Sequence, residues 1–185
     1  MSDFNYAVFP YNESNSLESG VLHSTIAAEQ TYRENDLNNA IMVSQIPAAS
    51  DAFVFKNSCA LLKINVKIAE NFSNLHSVKS ITVYSNSHKL SGPATINVAS
   101  GDYTAKVDAS AETASNTVKL TGCEAAGLLK ADKYLTFYIA IPAGTYAAEE
   151  LTVSILTSTT SVPLNVTSKV PAAYTVGRSQ YLDLS

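Results

Sequence analysis

The sequence predicts an all-β fold built as a β-sandwich, and three observations support that prediction. Short segments alternate between apolar and polar residues with the two-residue period of a half-buried strand. Polar turn sequences separate these segments at intervals of roughly 8 to 12 residues, as in sandwich folds. The apolar residues, 46% of the chain, are mostly β-branched, aromatic or alanine, and the sequence has no long helical tract rich in Leu, Glu and Lys.

The strongest strand pattern runs from residue 60 to residue 68 and predicts a central strand of the sandwich. One face is apolar and carries Ala60, Leu62, Ile64, Val66 and Ile68. The other face carries Leu61, Lys63, Asn65 and Lys67. Because Leu61 is aliphatic, the lysine-bearing face is expected to be partly covered as well, either by the segment from Phe4 to Tyr11 or by a neighbouring subunit.

The first fifty residues show a weaker pattern. An apolar and aromatic strand is predicted from Phe4 to Tyr11, where Pro10 ends it. Residues 17–50 are less regular, with one short strand predicted from Val21 to Ile26 and a polar stretch at residues 29–39 that is interpreted mostly as loop.

The remaining strands follow from the same alternation and are predicted at residues 78–84, 94–98, 117–120, 134–141, 151–156 and 162–166. The segment 134–141 has apolar residues on both faces, so it is predicted to be a central strand like the first. Pro163 marks the segment 162–166 as an edge strand, because proline cannot donate to a neighbouring strand.

Charge and hydropathy argue against two classes of partner. The chain carries 12 Lys and Arg against 16 Asp and Glu, a formal net charge of −4, and no basic patch. It therefore offers little to a phosphate backbone, and no nucleic-acid partner is expected. No apolar stretch approaches the roughly 18 residues that a membrane-spanning helix needs, so no transmembrane segment is predicted in this chain.

No catalytic, cofactor-binding or metal-binding residue is predicted. The three histidines are spaced too far apart to form a metal cluster, and no nucleophile or phosphate-loop motif is present. The neighbours Glu149 and Glu150 should point to opposite faces of a strand or cap a turn, which suits solvation rather than acid–base chemistry. Cys59 and Cys123 allow one disulfide, and two reduced thiols are the alternative.

The ten tyrosines are the one residue type that suggests a ligand. A tyrosine ring presents a flat apolar face with a polar tip, which is a suitable surface for a sugar. The candidate stacking residues are Tyr84, Tyr103, Tyr138 and Tyr146. Since several of them belong to predicted strands or strand ends, packing in the sandwich is the alternative interpretation.

Eight segments of the chain match one family pattern in order and spacing. They are residues 6–12 (YAVFPYN), 28–32 (AEQTY), 40–43 (AIMV), 55–63 (FKNSCALLK), 78–83 (VKSITV), 90–92 (LSG), 136–146 (TFYIAIPAGTY) and 177–181 (GRSQY). Taken together, these segments resemble the fimbrillin-like proteins of Bacteroides and related gut bacteria, over nearly the whole chain.

The resemblance implies a structural or adhesive subunit of a bacterial surface fimbria with no enzymatic activity and no cofactor. It implies transthyretin-like Greek-key β-sandwich domains, export as a lipoprotein, and a location at the cell surface in association with the outer membrane. The implied partners are other fimbrial subunits, joined by exchange of a β-strand, and ligands on host or bacterial surfaces. A surface glycan-binding sandwich without catalytic activity is the alternative function.

The resemblance also implies a domain division. Proteins of this type carry a run of strands before the segment that opens this chain, so the chain is expected to be N-terminally truncated. Residues 1–50 are then the remnant of an upstream β domain with its linker, and residues 51–185 form the C-terminal sandwich. Residues 174–184 are expected to be the last core strand of that sandwich rather than a donated strand, because no flexible linker precedes them.

Overall fold

A computed structural model of the protein describes residues 4–34, 37, 39–47, 52–70, 76–158 and 164–184. In chain order, the strands before residue 100 are β1 (Phe4–Phe9), β2 (Ser16–Glu18), β3 (Val21–Ile26), β4 (Glu29–Thr31), β5 (Met42–Pro47), β6 (Lys56–Asn57), β7 (Ala60–Val66), β8 (Ser77–Ser85) and β9 (Gly92–Asn97). The later strands are β10 (Lys106–Val107), β11 (Thr117–Thr121), β12 (Leu135–Ile141), β13 (Gly144–Tyr146), β14 (Leu151–Ser158), β15 (Asn165–Lys169), β16 (Tyr174–Val176) and β17 (Tyr181–Leu184). A 3-10 helix at Cys123–Ala126 is the one helical element in this part of the chain, so the all-β prediction is confirmed.

Two sheets enclose the larger hydrophobic core. One has the strand order β12-β7-β17, with β12 antiparallel and β17 parallel to β7. The other has the order β15-β14-β8-β11-β4. The alternation of β7 places Leu62 and Ile64 in this core, opposite Ile81 and Val83 of β8 and against Phe137 of β12. The predicted central position of the strand that starts at residue 60 is confirmed.

Two further sheets enclose a second, smaller core. Their strand orders are β1-β5-β6 and β10-β9-β3-β2. The buried side chains of this core include Leu22, Ile26, Ile41, Val43, Ala94, Ile96 and Val98. A tight hairpin joins β2 to β3 through Ser19 and Gly20, with φ angles of 50° and 78°, as a two-residue turn between twisted strands requires.

The second core explains the aliphatic residue on the lysine-bearing face of β7. Leu61 and its cross-strand neighbour Ala140 are buried within that core. Tyr6 and Val8 of β1 pack against the same core. The segment from Phe4 to Tyr11 was one of the two predicted covers for the lysine-bearing face. It therefore contributes to that cover within the same chain.

Two sequence-based predictions are wrong. Residues 17–50 are more regular than a mostly looped segment, because β2, β3, β4 and β5 lie within them. The strand at residues 134–141 is not central: β12 lies at the edge of its three-stranded sheet. Its inward face lies in the larger core, and Ala140 on its other face lies in the smaller core, whereas Tyr138 on that face is 38% exposed. Among the described residues, its second edge has no neighbouring strand.

The division of the chain near residue 50 stays a prediction. Strands on the two sides of that position share sheets: β3 pairs with β9, and β4 runs parallel to β11. At the other end of the chain, β16 pairs with β13, and β17 pairs with β7 through Leu182 and its neighbours. Val176 and Leu182 are buried in the larger core, so this segment is docked within the chain. That it is not a donated strand stays a prediction.

The two cysteines are separate and buried, each as a free thiol, rather than joined in a disulfide. Burial raises the pKa of Cys59 to about 11 and that of Cys123 to about 12. Because the thiolate is the reactive form, we expect neither thiol to react with Ellman's reagent at pH 8 in the native protein. Two thiols per chain should react after unfolding in denaturant without reductant, whereas a disulfide would give none.

Candidate functional site

Among the described residues, β12 has one edge without a neighbouring strand, and the side chain of Gln30 covers part of that edge. Leu61 directs its main-chain N–H away from β12, to the carbonyl of Gln180 at 3.0 Å, so its neighbour Ala140 makes no main-chain hydrogen bonds to β7. The buried amide of Gln30 takes the place of a neighbouring strand there. Its Nε2 donates to the carbonyl of Ala140 at 2.8 Å, and its Oε1 accepts from the N–H of Ala140 at 2.9 Å.

The rest of that edge stays open among the residues that the structure describes. Because outward-facing main-chain groups alternate along a strand, those of Thr136 and Tyr138 point the same way as those of Ala140. Beyond the edge lies a groove of about 660 Å³ between the chain that follows β4 and the outer face of the β12-β7-β17 sheet. Its lining includes the tyrosines Tyr32, Tyr134, Tyr138 and Tyr181.

The outer face of this sheet carries a row of polar contacts. Lys63 of β7 donates to Asp183 of β17 at 2.6 Å, and Asn65 donates to the other oxygen of the same carboxylate at 2.8 Å. Thr136 of β12 donates to Asn65 at 2.8 Å. The hydrogen bond that Lys63 donates to Asp183 raises the pKa of Lys63, so the ammonium group stays charged. The row therefore forms a chain of polar contacts across all three strands.

The exposed tyrosines stand around this polar row. Tyr181 is 60% exposed and Tyr138 is 38% exposed. The ammonium of Lys63 lies 5.4 Å from the centre of the Tyr181 ring, and that of Lys67 lies 4.9 Å from the centre of the Tyr134 ring. We call this surface, made of Tyr134, Tyr138, Tyr181 and the polar row, the tyrosine face.

The four tyrosines selected from the sequence do not come together. Tyr138 lies on the tyrosine face, whereas Tyr84 lies on β8 in the opposing sheet and is 44% exposed. Tyr103 is half-buried; its hydroxyl donates to Gln45, and the cations of Lys56 and Arg178 lie within 6 Å of its ring. Glycan stacking by this set of four stays a prediction.

Tyr146, the fourth of the set, is a core residue. Its exposure is 2%, and its hydroxyl donates to the carbonyl of Pro142 at 2.7 Å. Burial raises its pKa, with a further contribution from the charge of Glu150. No face of this ring is open to a ligand. Sequence reasoning missed Tyr134, at the start of the predicted strand 134–141, and Tyr181, near the end of the chain.

A second groove lies between the edge strands of the smaller sandwich. It has a volume of about 190 Å³ and is lined by Tyr6, Ala7, Val8, Tyr11, Asn15, Ser16, Leu17, Leu22, Val43 and Val98. In the described part of the chain, β1 pairs only with β5 and β2 pairs only with β3, so both strands present an unpaired edge. Leu17 is exposed there, whereas Val43 and Val98 at the base belong to the core. We call this the edge groove.

The carboxylate of Glu150 is buried and hydrogen-bonded, an environment that was not predicted from the sequence. It is 4% exposed; Ser85 donates to one carboxylate oxygen at 2.7 Å, and the N–H of Ala147 donates to the other at 2.8 Å. His88 also contacts the carboxylate. Burial alone would raise the pKa of Glu150, but these hydrogen bonds outweigh burial and lower it to about 2.

The hydrogen bonds of Glu150 hold two parts of the chain together. Both oxygens of Glu150 accept hydrogen bonds, and the hydroxyl of Ser85 is directed at the carboxylate rather than at a histidine base, so it lacks the order of a hydrolytic triad. The carboxylate instead joins the turn before β14 to the end of β8. Only exposed Glu149, which contacts Lys169 at 3.3 Å, fits the expected solvated role.

The described residues supply no other chemistry-bearing cluster. No group of three His, Cys, Asp or Glu side chains within them is placed to hold a metal ion. None of their helices has the length and apolar character to cross a membrane.

Comparison with known proteins supports the fold. No protein-family model matches the chain, and no curated protein matches it significantly. Among solved structures, a Bacteroides ovatus protein named for a proposed role in cell adhesion is 13% identical over 98% of this chain, with a TM-score of 0.55. A fimbrial protein from Bacteroides vulgatus is also 13% identical over 98% of this chain, with a TM-score of 0.50.

These likenesses establish a shared fold. The chain spans 61% of the Bacteroides ovatus protein and 72% of the Bacteroides vulgatus protein, so it covers less than two thirds of the first. At this identity the chain has the fold of Bacteroides fimbrial and cell adhesion proteins. The resemblance to fimbrillin-like proteins is confirmed at the level of the fold.

Proposed function

We propose that the chain is part of a structural and adhesive subunit of a bacterial surface fimbria, which assembles by β-strand exchange between copies. The observation that carries the proposal is the edge groove, an apolar opening flanked by two unpaired strand edges in a fold shared with a fimbrial protein. In this proposal the protein acts at the cell surface without catalysis, after export as an outer-membrane lipoprotein.

The edge groove offers what an incoming strand needs. An added strand can donate to and accept from the free main-chain groups of β1 or β2, while its alternate side chains enter the groove. The base of the groove is formed by core residues of the smaller sandwich, including Leu22, Val43 and Val98. An inserted apolar side chain would therefore extend a core that already exists, which stabilises it by about 1.5 to 3 kcal/mol for each fully buried Val or Leu.

Other strand edges suit this role less well. Strand β15 is an edge strand with all five side chains exposed, so none of its residues belongs to a buried core. The free edge of β12 is blocked at Ala140 by the Gln30 amide and is open only at Thr136 and Tyr138. The edge groove combines free main-chain groups with an apolar base. The occupant proposed for it is an extended segment of a neighbouring copy.

A charge placed in the edge groove should prevent assembly without unfolding the protein. Leu17→Glu puts a carboxylate at an exposed position of β2, so the fold should tolerate it, but an inserted strand would bury the charge. The matched control is Val166→Glu, which changes an exposed aliphatic residue on the other free edge, β15. We expect the parent chain and Val166→Glu to form concentration-dependent polymers, and Leu17→Glu to remain monomeric in analytical ultracentrifugation.

Circular dichroism and thermal melting of the monomeric fractions check that the variants fold. Equal polymer formation by Leu17→Glu and the parent would show that assembly does not use the edge groove. Loss of polymers in Val166→Glu alone would move the assembly site to β15. A parent chain that stays monomeric at every concentration, with added copies or extended peptides from its own sequence, would contradict strand exchange.

A further inference from the structure

We infer that the tyrosine face is the adhesive surface of the protein and binds an oligosaccharide of pyranose rings. This inference deepens the adhesive part of the proposed function and rests on it, whereas assembly uses the edge groove on the smaller sandwich. The two surfaces share none of their lining residues, so each can be tested without changing the other.

The tyrosines of this face supply stacking surfaces at separate points. Tyr138 lies on β12 directly opposite Lys63, and Tyr181 lies on β17 opposite Leu61, so β7 separates the two. Two strand spacings across the sheet and an offset of two residues along it separate the two backbone positions by about 12 Å. The apolar face of a sugar ring can pack flat against such an aromatic ring, and the separation leaves room for a different ring of one oligosaccharide at each tyrosine.

The polar row between the rings supplies oriented hydrogen-bonding groups. Asp183 holds both Lys63 and Asn65, and Asn65 in turn accepts from Thr136. These side chains are therefore fixed by one another before any ligand arrives, which lowers the entropy cost of binding. Lys63 retains donors for sugar hydroxyls, because an ammonium group has three donors.

The size and charge of the groove beside the face also suit a sugar. Its volume of about 660 Å³ lies within the range of roughly 300 to 1,000 Å³ that is typical of small-ligand sites. Among the described residues, its charged lining groups are Arg33, Glu34 and Lys133, two cations and one carboxylate, and Lys63 is paired with Asp183. This weak net charge does not provide the run of cations that a polyanion requires.

An extended peptide is the competing ligand, and the geometry disfavours it. A peptide would add to the free edge of β12, but the Gln30 amide occupies Ala140. The ring of Tyr32 packs against Phe137, with ring centres 5.3 Å apart, on the side where a new strand would run. The open stretch from Thr136 to Tyr138 is shorter than most β-strands, which have roughly 3 to 10 residues.

The test is binding of the purified full chain to an array of immobilised oligosaccharides. The array holds mannan, xylan and N-acetyllactosamine oligomers, which are neutral. It also holds sialylated N-acetyllactosamine, which is acidic, so that binding of neutral and of acidic oligosaccharides can be compared. For the sugar that binds, titration calorimetry compares the parent with Tyr181→Ala, Tyr138→Ala and the control Tyr84→Ala. Tyr84 has a similar exposure to Tyr138 but lies on the opposing sheet.

Stacking predicts that affinity falls about tenfold in Tyr181→Ala and in Tyr138→Ala, and is unchanged in Tyr84→Ala. Tyr181→Trp, which keeps a ring and removes the hydroxyl, should retain affinity. Equal affinity in Tyr181→Ala, Tyr138→Ala and the parent, or binding of no sugar by the parent, would overturn the inference. So would binding of extended peptides that is lost in Tyr138→Ala while no sugar binds. Polymer formation by the same preparations reports on the proposed assembly separately.

Discussion

Replacing Gln30 by leucine should destabilise the protein by about 2 to 6 kcal/mol. Leucine fills a similar volume in the buried site but cannot pair with the main chain of Ala140. Both the N–H and the carbonyl of Ala140 would then be buried without partners, and each such group costs about 1 to 3 kcal/mol. Chemical denaturation of the parent and Gln30→Leu, compared at their midpoints, measures the difference.

The control for this change is Gln180→Leu. Gln180 also accepts a hydrogen bond from a main-chain N–H, that of Gly177 at 2.8 Å, but its side chain is exposed. Water can replace that hydrogen bond, so a loss below about 1 kcal/mol is expected. Equal losses in the two variants would show that burial of the Ala140 main chain does not determine the cost.

Replacing Glu150 by glutamine should cost about 2 to 3 kcal/mol at neutral pH. The carboxylate accepts from Ser85 and His88 on one oxygen and from Ala147 on the other. A glutamine amide must direct its NH₂ group at one of these donors, so at least one charge-assisted hydrogen bond is lost. Glu149→Gln is the matched control, because its neighbouring carboxylate is exposed and a surface ion pair contributes little.

The cost of Glu150→Gln should depend on pH. The pKa of Glu150 is about 2 in the folded protein against an ordinary value of 4.5, so the unfolded chain binds the proton more readily. The stabilisation is complete above about pH 4.5 and is lost as the pH falls towards 2, for a total of about 3 kcal/mol. Denaturation midpoints from pH 7 to pH 2 should therefore converge for the parent and the variant. A constant difference over this range would contradict the ionised, hydrogen-bonded carboxylate.

Sequence reasoning succeeded where the order of apolar and polar residues is compatible with only one pattern of burial. The alternation at residues 60–68 identified β7, its core face and the need for a cover over Leu61, because a two-residue period has one structural explanation. Strand β15 lies at the edge of its sheet, as predicted for the segment 162–166, of which residues 162 and 163 lie outside the described part of the chain.

It failed where a strand depends on partners far away in the chain. Residues 135–141 are apolar on both faces, which predicts burial but does not show how many strand neighbours β12 has. The neighbour at Ala140 is a side chain, Gln30, that lies 110 residues away in the chain, and no local pattern reports such a contact. Strands β2 and β4 have only three residues each, too few to establish a period.

The candidate site was predictable only in part. Tyr138 was selected because it lies within a strong predicted strand. Tyr134, the first residue of the same predicted strand, was not selected, and Tyr181 lies on the short β17, which runs parallel to β7. The sheet order that places β17 beside β7 decides which tyrosines share a face, and this order is not encoded in local alternation. The same limit explains Glu150, whose partners Ser85 and His88 lie more than 60 residues away.

The most direct test of strand exchange is hydrogen–deuterium exchange of the main chain in monomers and in polymers of the same preparation. Strand insertion into the edge groove predicts that amide protection rises in β1 and β2, because their free edges become hydrogen-bonded, while β15 remains as it is in the monomer. Unchanged exchange in both β1 and β2, or a rise confined to β15 or β12, would contradict assembly through the edge groove.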